Sequence, residues 1–235
     1  MADATLLGAP LFPGKVLDDT WLARCEDLKR AADRLSLLSA QDALLILLRV
    51  SFSAPRVPHL LRCAPSVDNP ALEQFDGHLR SALSCITNTS LSDIQWLQAS
   101  VPIKHGGLGI RQVHSLTLPA FLASATSTSD LQSQILLASA CTANTQFVKY
   151  LADWQVSFGH LLSSDPLPVK QSVWDKPGIL TTRTMVESAI SDSCQNARFL
   201  AAVAPHSGDW LLVLPVSLVG CVCQMRLCEW PWPCA

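Results

Sequence analysis

Between Asp19 and Leu38, apolar side chains recur three or four residues apart at Leu22, Cys25, Leu28, Ala32 and Leu35, while Arg24, Lys29, Arg30 and Arg34 fall largely off that stripe. A period near 3.6 predicts an amphipathic helix. Ser39 reads as an N-cap for a second helix over Gln41–Phe52, whose LLILL centre suits deeper burial, and Pro55 ends it. Asn69-Pro70 supplies a cap and a first-turn proline for a third, with Leu72, Phe75, Leu79, Ala82, Leu83 and Ile86 in register. Leu91–Ala99 predicts a short helix around Trp96, and Val113–Thr126 another despite Pro119. The serines and threonines of Ser124–Ser129 then predict a loop, followed by helices over Leu131–Cys141, Thr145–Leu162 and Thr181–Val203. Pro205 closes the series.

Ser163–Gly178 places three prolines and a glycine between helical patterns, which predicts a linker. No repeat of solenoid length is evident, so the fold expected is mainly α, an irregular helical bundle. Its interruption is VPIKHGGLGIR at Val101–Arg111, where Gly106, Gly107 and Gly109 permit positive φ or close backbone approach. That string reads as a glycine-rich structural turn or a small β-hairpin near residues 101–112. Lys104, His105 and Arg111 also set donors beside the turn that can meet a phosphate, although the spacing is not that of a P-loop.

Composition narrows the choices. At 235 residues and 49% hydrophobic content the chain has ample material for a core. A formal net charge of −2 announces no nucleic-acid partner in bulk, so any such surface has to be local. The opening residues lack the basic start and apolar run of a secretory leader, and the apolar runs Ala43–Leu48 and Leu211–Cys223 are too short to span a bilayer. A soluble, intracellular protein without a membrane association is expected, nuclear or cytoplasmic. Cys25, Cys63, Cys85, Cys141 and Cys194 lie dispersed in helical patterns and read as small buried hydrophobes in a reducing compartment.

Taken in order, LLGAPLF at Leu6–Phe12, APRVPHLLRC at Ala54–Cys63, the VPIKHGGLGIR element, VHSLTLPAFLASA at Val113–Ala125 and HSGDWL at His206–Leu211 resemble the thumb-side, C-terminal portion of non-LTR retrotransposon reverse transcriptases. The resemblance covers most of Leu6–Gly220. It implies a remnant at 1–18, a helical thumb-like region at 19–162, the linker at 163–178, a helical C-terminal region at 179–220 and an unrelated Cys/Trp/Pro-rich tail at 221–235. In that family a palm with metal-binding aspartates carries a two-metal nucleotidyl transfer and would precede LLGAPLF. Only five residues precede Leu6, so the resemblance implies a fragment of an RNA-directed DNA polymerase without catalytic residues or cofactor. Asp18-Asp19 follows that element and reads as a helix cap and favourable dipole charge rather than a metal site.

Three groups of residues carry candidate chemistry. His206, Ser207 and Asp209 offer hydrolase-triad residue types, but neighbours in sequence seldom converge in triad geometry, and a turn packing Trp210 is the simpler expectation. Cys221, Cys223, Cys228 and Cys234 have poor spacing for a zinc site, so no metal is expected. The third group is cationic: Lys29, Arg30, Arg34, Arg56, Arg62, Arg80, Lys104, His105 and Arg111, which on a thumb would track the sugar–phosphate backbone of RNA or an RNA–DNA duplex without reading bases. Interspersed acidic residues leave a solvated set of helix faces as the plain alternative. A helical module whose apolar faces pack on a protein partner is the second functional expectation, motivated by the positive mean hydropathy of +0.27. A transposon relic without selected function is the third.

Overall fold

The chain is mainly helical in a computed structural model that describes residues 5–6, 8–35, 45, 47–135, 145–158 and 167–211. A two-residue antiparallel pair, β1 (Thr5–Leu6) and β2 (Ala9–Pro10), precedes α1 (Lys15–Leu35). A π-helical turn at Leu48–Phe52 and a 3-10 turn at Ala54–Arg56 lead into α2 (Pro58–Cys63), α3 (Ala71–Thr87) and α4 (Asp93–Ser100). After a 3-10 turn at Ile103–His105 come α5 (Val113–Ile135), α6 (Thr145–Phe158), α7 (Gln171–Ser188) and α8 (Ser193–Val203), then a last 3-10 turn at Asp209–Leu211. Among the described residues the paired strands lie at the start of the chain and not at 101–112, where the glycine-rich turn is found. The chain divides into two compact units, residues 1–24, 57–73 and 113–180 in the first and 25–56, 74–112 and 181–235 in the second.

The first unit is organised by indoles. Trp154 and Trp174 meet edge to face at 5.1 Å, Phe121 meets Tyr150 in the same way at 5.2 Å, and Leu122 and Ala123 complete the buried cluster. Each buried indole N–H is used: Trp154 Nε1 donates to the Trp174 carbonyl at 3.2 Å, and Trp174 Nε1 to the Pro168 carbonyl at 2.7 Å. Trp21 Nε1 donates to Ser66 Oγ at 2.9 Å. Large side chains with a satisfied polar tip contribute burial without a desolvation penalty, about 1.5–3 kcal/mol for a fully buried Leu-sized group and more for an indole.

Four local readings are corrected. The Ser124–Ser129 stretch is not a loop; α5 runs through it, because Thr126, Ser127, Thr128 and Ser129 turn their hydroxyls back onto carbonyls three or four residues earlier at 2.7–3.2 Å. The 163–178 segment is helical from Gln171 onward, since Trp174 is a core residue and Pro177 lies inside α7; residues 163–166 fall outside the described part. The single helix over Thr181–Val203 is two, interrupted at 189–192, where Asp192 caps α8 by accepting from Gln195 N at 2.7 Å. Finally, α1 starts at Lys15, with Gly14 O accepting from Leu17 N and Asp18 N, so Asp18 sits in the first helical turn and its carboxylate accepts from Asn69 Nδ2 at 2.7 Å. Asn69 caps as its position predicts, its Oδ1 accepting from Ala71 N at 3.0 Å, and Ser92 and Gln95 form a capping box at α4. Of the helix expected over Gln41–Phe52, residues 41–44 and 46 lie outside the described residues, and the described end is the π-helical turn at Leu48–Phe52.

Candidate nucleic-acid interface

In the second unit, the α1 stripe that keeps Leu28 and Leu35 inward leaves Arg30 and Arg34 exposed, with Asp27 and Ala31 half-buried at its edge. The 3-10 turn at Ala54–Arg56 brings Arg56 beside them, and the five residues line a shallow depression of about 280 Å³. Three guanidinium groups face one carboxylate there. Arg30 is ion-paired with Asp27, one helical turn earlier. Arg56 lies 5.1 Å from the centroid of the Phe52 ring, which holds the guanidinium without neutralising it. Among the described residues Arg34 makes no ion pair, and the depression gathers three guanidinium groups around one carboxylate.

The glycine turn builds the other cationic group of this unit. Gln98 Nε2 donates to Gly106 O at 3.2 Å, Leu108 N and Ile110 N both donate to Ala99 O, and Gly109 N to Val101 O. Gly106 holds φ +85° as the left-handed end of the 3-10 turn, and a Cβ there would meet Val203 Cγ2 at 2.9 Å. At Gly107 a Cβ would fall 2.0 Å from the Val101 carbonyl oxygen, so nothing larger fits without moving backbone. This closed turn presents Lys104 exposed and His105 half-buried. Arg183, from α7, reaches it: Nη1 lies 3.5 Å from His105 Nδ1, Nε donates to Glu187 Oε1 at 2.8 Å, and the guanidinium sits 6.0 Å from the Phe199 ring centroid. Burial, together with the positive charges of Lys104, Arg183 and Arg111, holds the His105 imidazole below its ordinary pKa.

The nine cationic positions expected from sequence therefore do not form one continuous patch. Arg30, Arg34 and Arg56 come together, with Lys29 exposed on the same helix, and Lys104, His105 and Arg111 come together around the turn. Arg80 is tied locally, to Asp93 Oδ1 at 2.7 Å and to the Leu91 carbonyl. Arg62 belongs to the first unit, where it donates to Gln171 Oε1 at 3.3 Å. Sequence reasoning missed Arg183, because its spacing to Glu187 is that of an ordinary helical ion pair and nothing in the string links it to a turn so far upstream.

Other candidate groups resolve into structure. His206 Nδ1 and Asp209 Oδ2 are 2.8 Å apart, but Ser207 Oγ donates to the Ala202 carbonyl at 2.7 Å and so points away from the imidazole. Ser207 thus satisfies a carbonyl near the end of α8, and the three do not converge as nucleophile, base and orienter. The Trp210 side chain and the cysteines at 221–234 fall outside the described residues. Among the described residues no three His, Cys, Asp or Glu side chains group as metal ligands, and no helix is long and apolar enough to cross a membrane. Burial pushes the Cys25 thiol up to about 11, with Asp76 and Glu26 adding to the effect, which makes it a packing group rather than a nucleophile. No family model, curated protein or solved structure matches this chain.

Proposed function

We propose that the chain is a non-catalytic helical module that binds duplex or structured nucleic acid through its sugar–phosphate backbone, in the manner expected of the retrotransposon reverse-transcriptase thumb its sequence resembles. The observation that carries the reading is the depression in which Arg30, Arg34 and Arg56 outnumber Asp27. Guanidinium groups match phosphate oxygens in planar, two-pronged contacts, and contacts confined to the sugar–phosphate backbone recognise charge and shape rather than sequence. With a chain net charge of −2, long-range attraction is weak, so affinity comes from these few contacts and is correspondingly modest.

Fluorescence anisotropy of a labelled RNA–DNA duplex is the test. Binding at low salt is expected to fall with added salt, by nearly one log unit per log unit of salt for each phosphate neutralised. Arg34→Gln combined with Arg56→Gln should weaken it and flatten that dependence. Absence of binding at low salt, or indifference to the double substitution, removes the reading. Co-purification with a protein and no affinity for nucleic acid would support the second reading instead, a protein-interaction module, which is favoured by exposed Val148 and Val156 on α6.

A further inference from the structure

The depression beside α1 is backed by an aromatic ring as well as lined by charge. Phe52 ends the π-helical turn at Leu48–Phe52, and the 3-10 turn at Ala54–Arg56 sets the Arg56 guanidinium over that ring, 5.1 Å from its centroid. The two turns are pinned. Ser53 Oγ donates to the Arg49 carbonyl at 2.6 Å, Arg56 N to the Ser53 carbonyl at 3.0 Å, and Arg49 Nη2 to the Leu211 carbonyl at 2.6 Å. Short π-helical segments are rare and gather at functional sites. A guanidinium packed by one face on a ring keeps its other face for a second flat group, because weak hydration makes the plane a stacking surface as well as a charge. Arg56 is exposed and lines the depression, so the ring-backed plane borders a hollow of about 280 Å³ whose lining also carries Arg30 and Arg34.

We infer that this hollow takes one unpaired nucleotide, its base stacked on the Phe52–Arg56 pair and its flanking phosphates against Arg30 and Arg34. The inference rests on the nucleic-acid reading of the depression and names the part of the nucleic acid that enters it. Phosphate alone does not call for a plane backed by a ring, since guanidinium groups on flexible stems answer its charge equally well. In a duplex both faces of an internal base are covered by its neighbours, so only a base in a single strand, an overhang or a bulge offers its π-face. The volume agrees: it stands at the lower edge of the roughly 300–1,000 Å³ of small-ligand pockets, room for one nucleotide. Stacking tolerates any base, because each has a π-face, and so keeps the site independent of sequence. An acidic peptide would meet the arginines with its carboxylates and leave the stacking plane uncovered.

The experiment compares three labelled ligands by fluorescence anisotropy at low salt: a short single strand, the same strand with abasic residues, and a blunt-ended duplex. Abasic residues keep the phosphates and delete the bases. The intact strand should bind about tenfold more tightly than its abasic counterpart, the loss expected for one stacked base, and more tightly than the duplex. Arg56→Lys keeps the charge and removes the plane, and Phe52→Leu keeps an apolar side chain and removes the ring; each should cut that preference to about twofold. Equal affinity for intact and abasic strands, with binding still weakened by the Arg34→Gln and Arg56→Gln pair, overturns the stacking and leaves the backbone reading standing. Blunt duplex binding as tightly as the intact strand has the same meaning. A preference for the intact strand that neither Arg56→Lys nor Phe52→Leu reduces puts the base elsewhere and also overturns the inference. Absence of binding by all three ligands removes the backbone reading and this one with it.

Discussion

In the first unit, order is carried by bulk: Trp154, Trp174, Phe121 and Tyr150 fill the interior, and their polar tips find backbone partners. The glycine-turn region of the second unit depends on the opposite device, the absence of side chains, because Gly106, Gly107 and Gly208 let three stretches of chain approach to distances that a methyl group would forbid. The indole cluster buries aromatic bulk, whereas the glycine turn carries an exposed Lys104 and a His105 that Arg183 approaches at 3.5 Å. A core made of large side chains tolerates little loss of volume. A junction made of glycines tolerates no gain, and it leaves the outward positions free for chemistry.

Removing bulk from the first unit should have the largest effect. Trp174→Ala deletes a fully buried indole and its hydrogen bond to Pro168, and chemical denaturation should show a loss of about 3–5 kcal/mol. Adding bulk to the turn comes next: Gly107→Ala places a Cβ against two backbone carbonyl oxygens, at 2.0 and 2.4 Å, and should destabilise by roughly 1–3 kcal/mol through overpacking, read in the same assay. Ser92→Ala, which opens the capping box of α4 without touching either device, should cost about 1 kcal/mol. A melting temperature unchanged by Gly107→Ala would show that the turn repacks freely and would dissolve the contrast.

The smallest effect is a dependence on pH. Burial first, then Lys104, Arg183 and Arg111, lowers the proton affinity of His105 in the folded chain, so the unfolded chain binds the proton more readily. Its contribution to stability is therefore unaffected above the ordinary histidine value of 6.5, is lost as pH falls through that value, and levels off below the folded-state value. Comparing denaturant midpoints of the native chain and His105→Gln across that window isolates the term.

Legibility from sequence followed the same division. Helices whose faces are built from large apolar residues, such as Leu72 through Ile86, could be read directly, as could the cap at Asn69, because the signals are local. The Ser124–Ser129 stretch was misread for a physical reason: hydroxyls that often break helices here bond back along α5 while Leu122 and Ala123 anchor the preceding turn. The proline-bearing segment was misread because the pull of the Trp174 pocket on α7 is tertiary and leaves no mark in nearby residues. At the cationic sites, Lys104, His105 and Arg111 were visible as neighbours of a glycine turn. Arg183 was not, since only folding brings it there.

The contacts of Gly106 with Val203 and of Ile103 with Gly208 close a loop of roughly a hundred residues, and loops of that length are slow to close because chain entropy must be given up before any contact repays it. During synthesis the glycine turn emerges long before its partners do. The closure of the glycine turn thus has to wait for residues 203–208, and a ribosomal product halted short of Ser193 would bear the whole VPIKHGGLGIR string with no α8 to close against it.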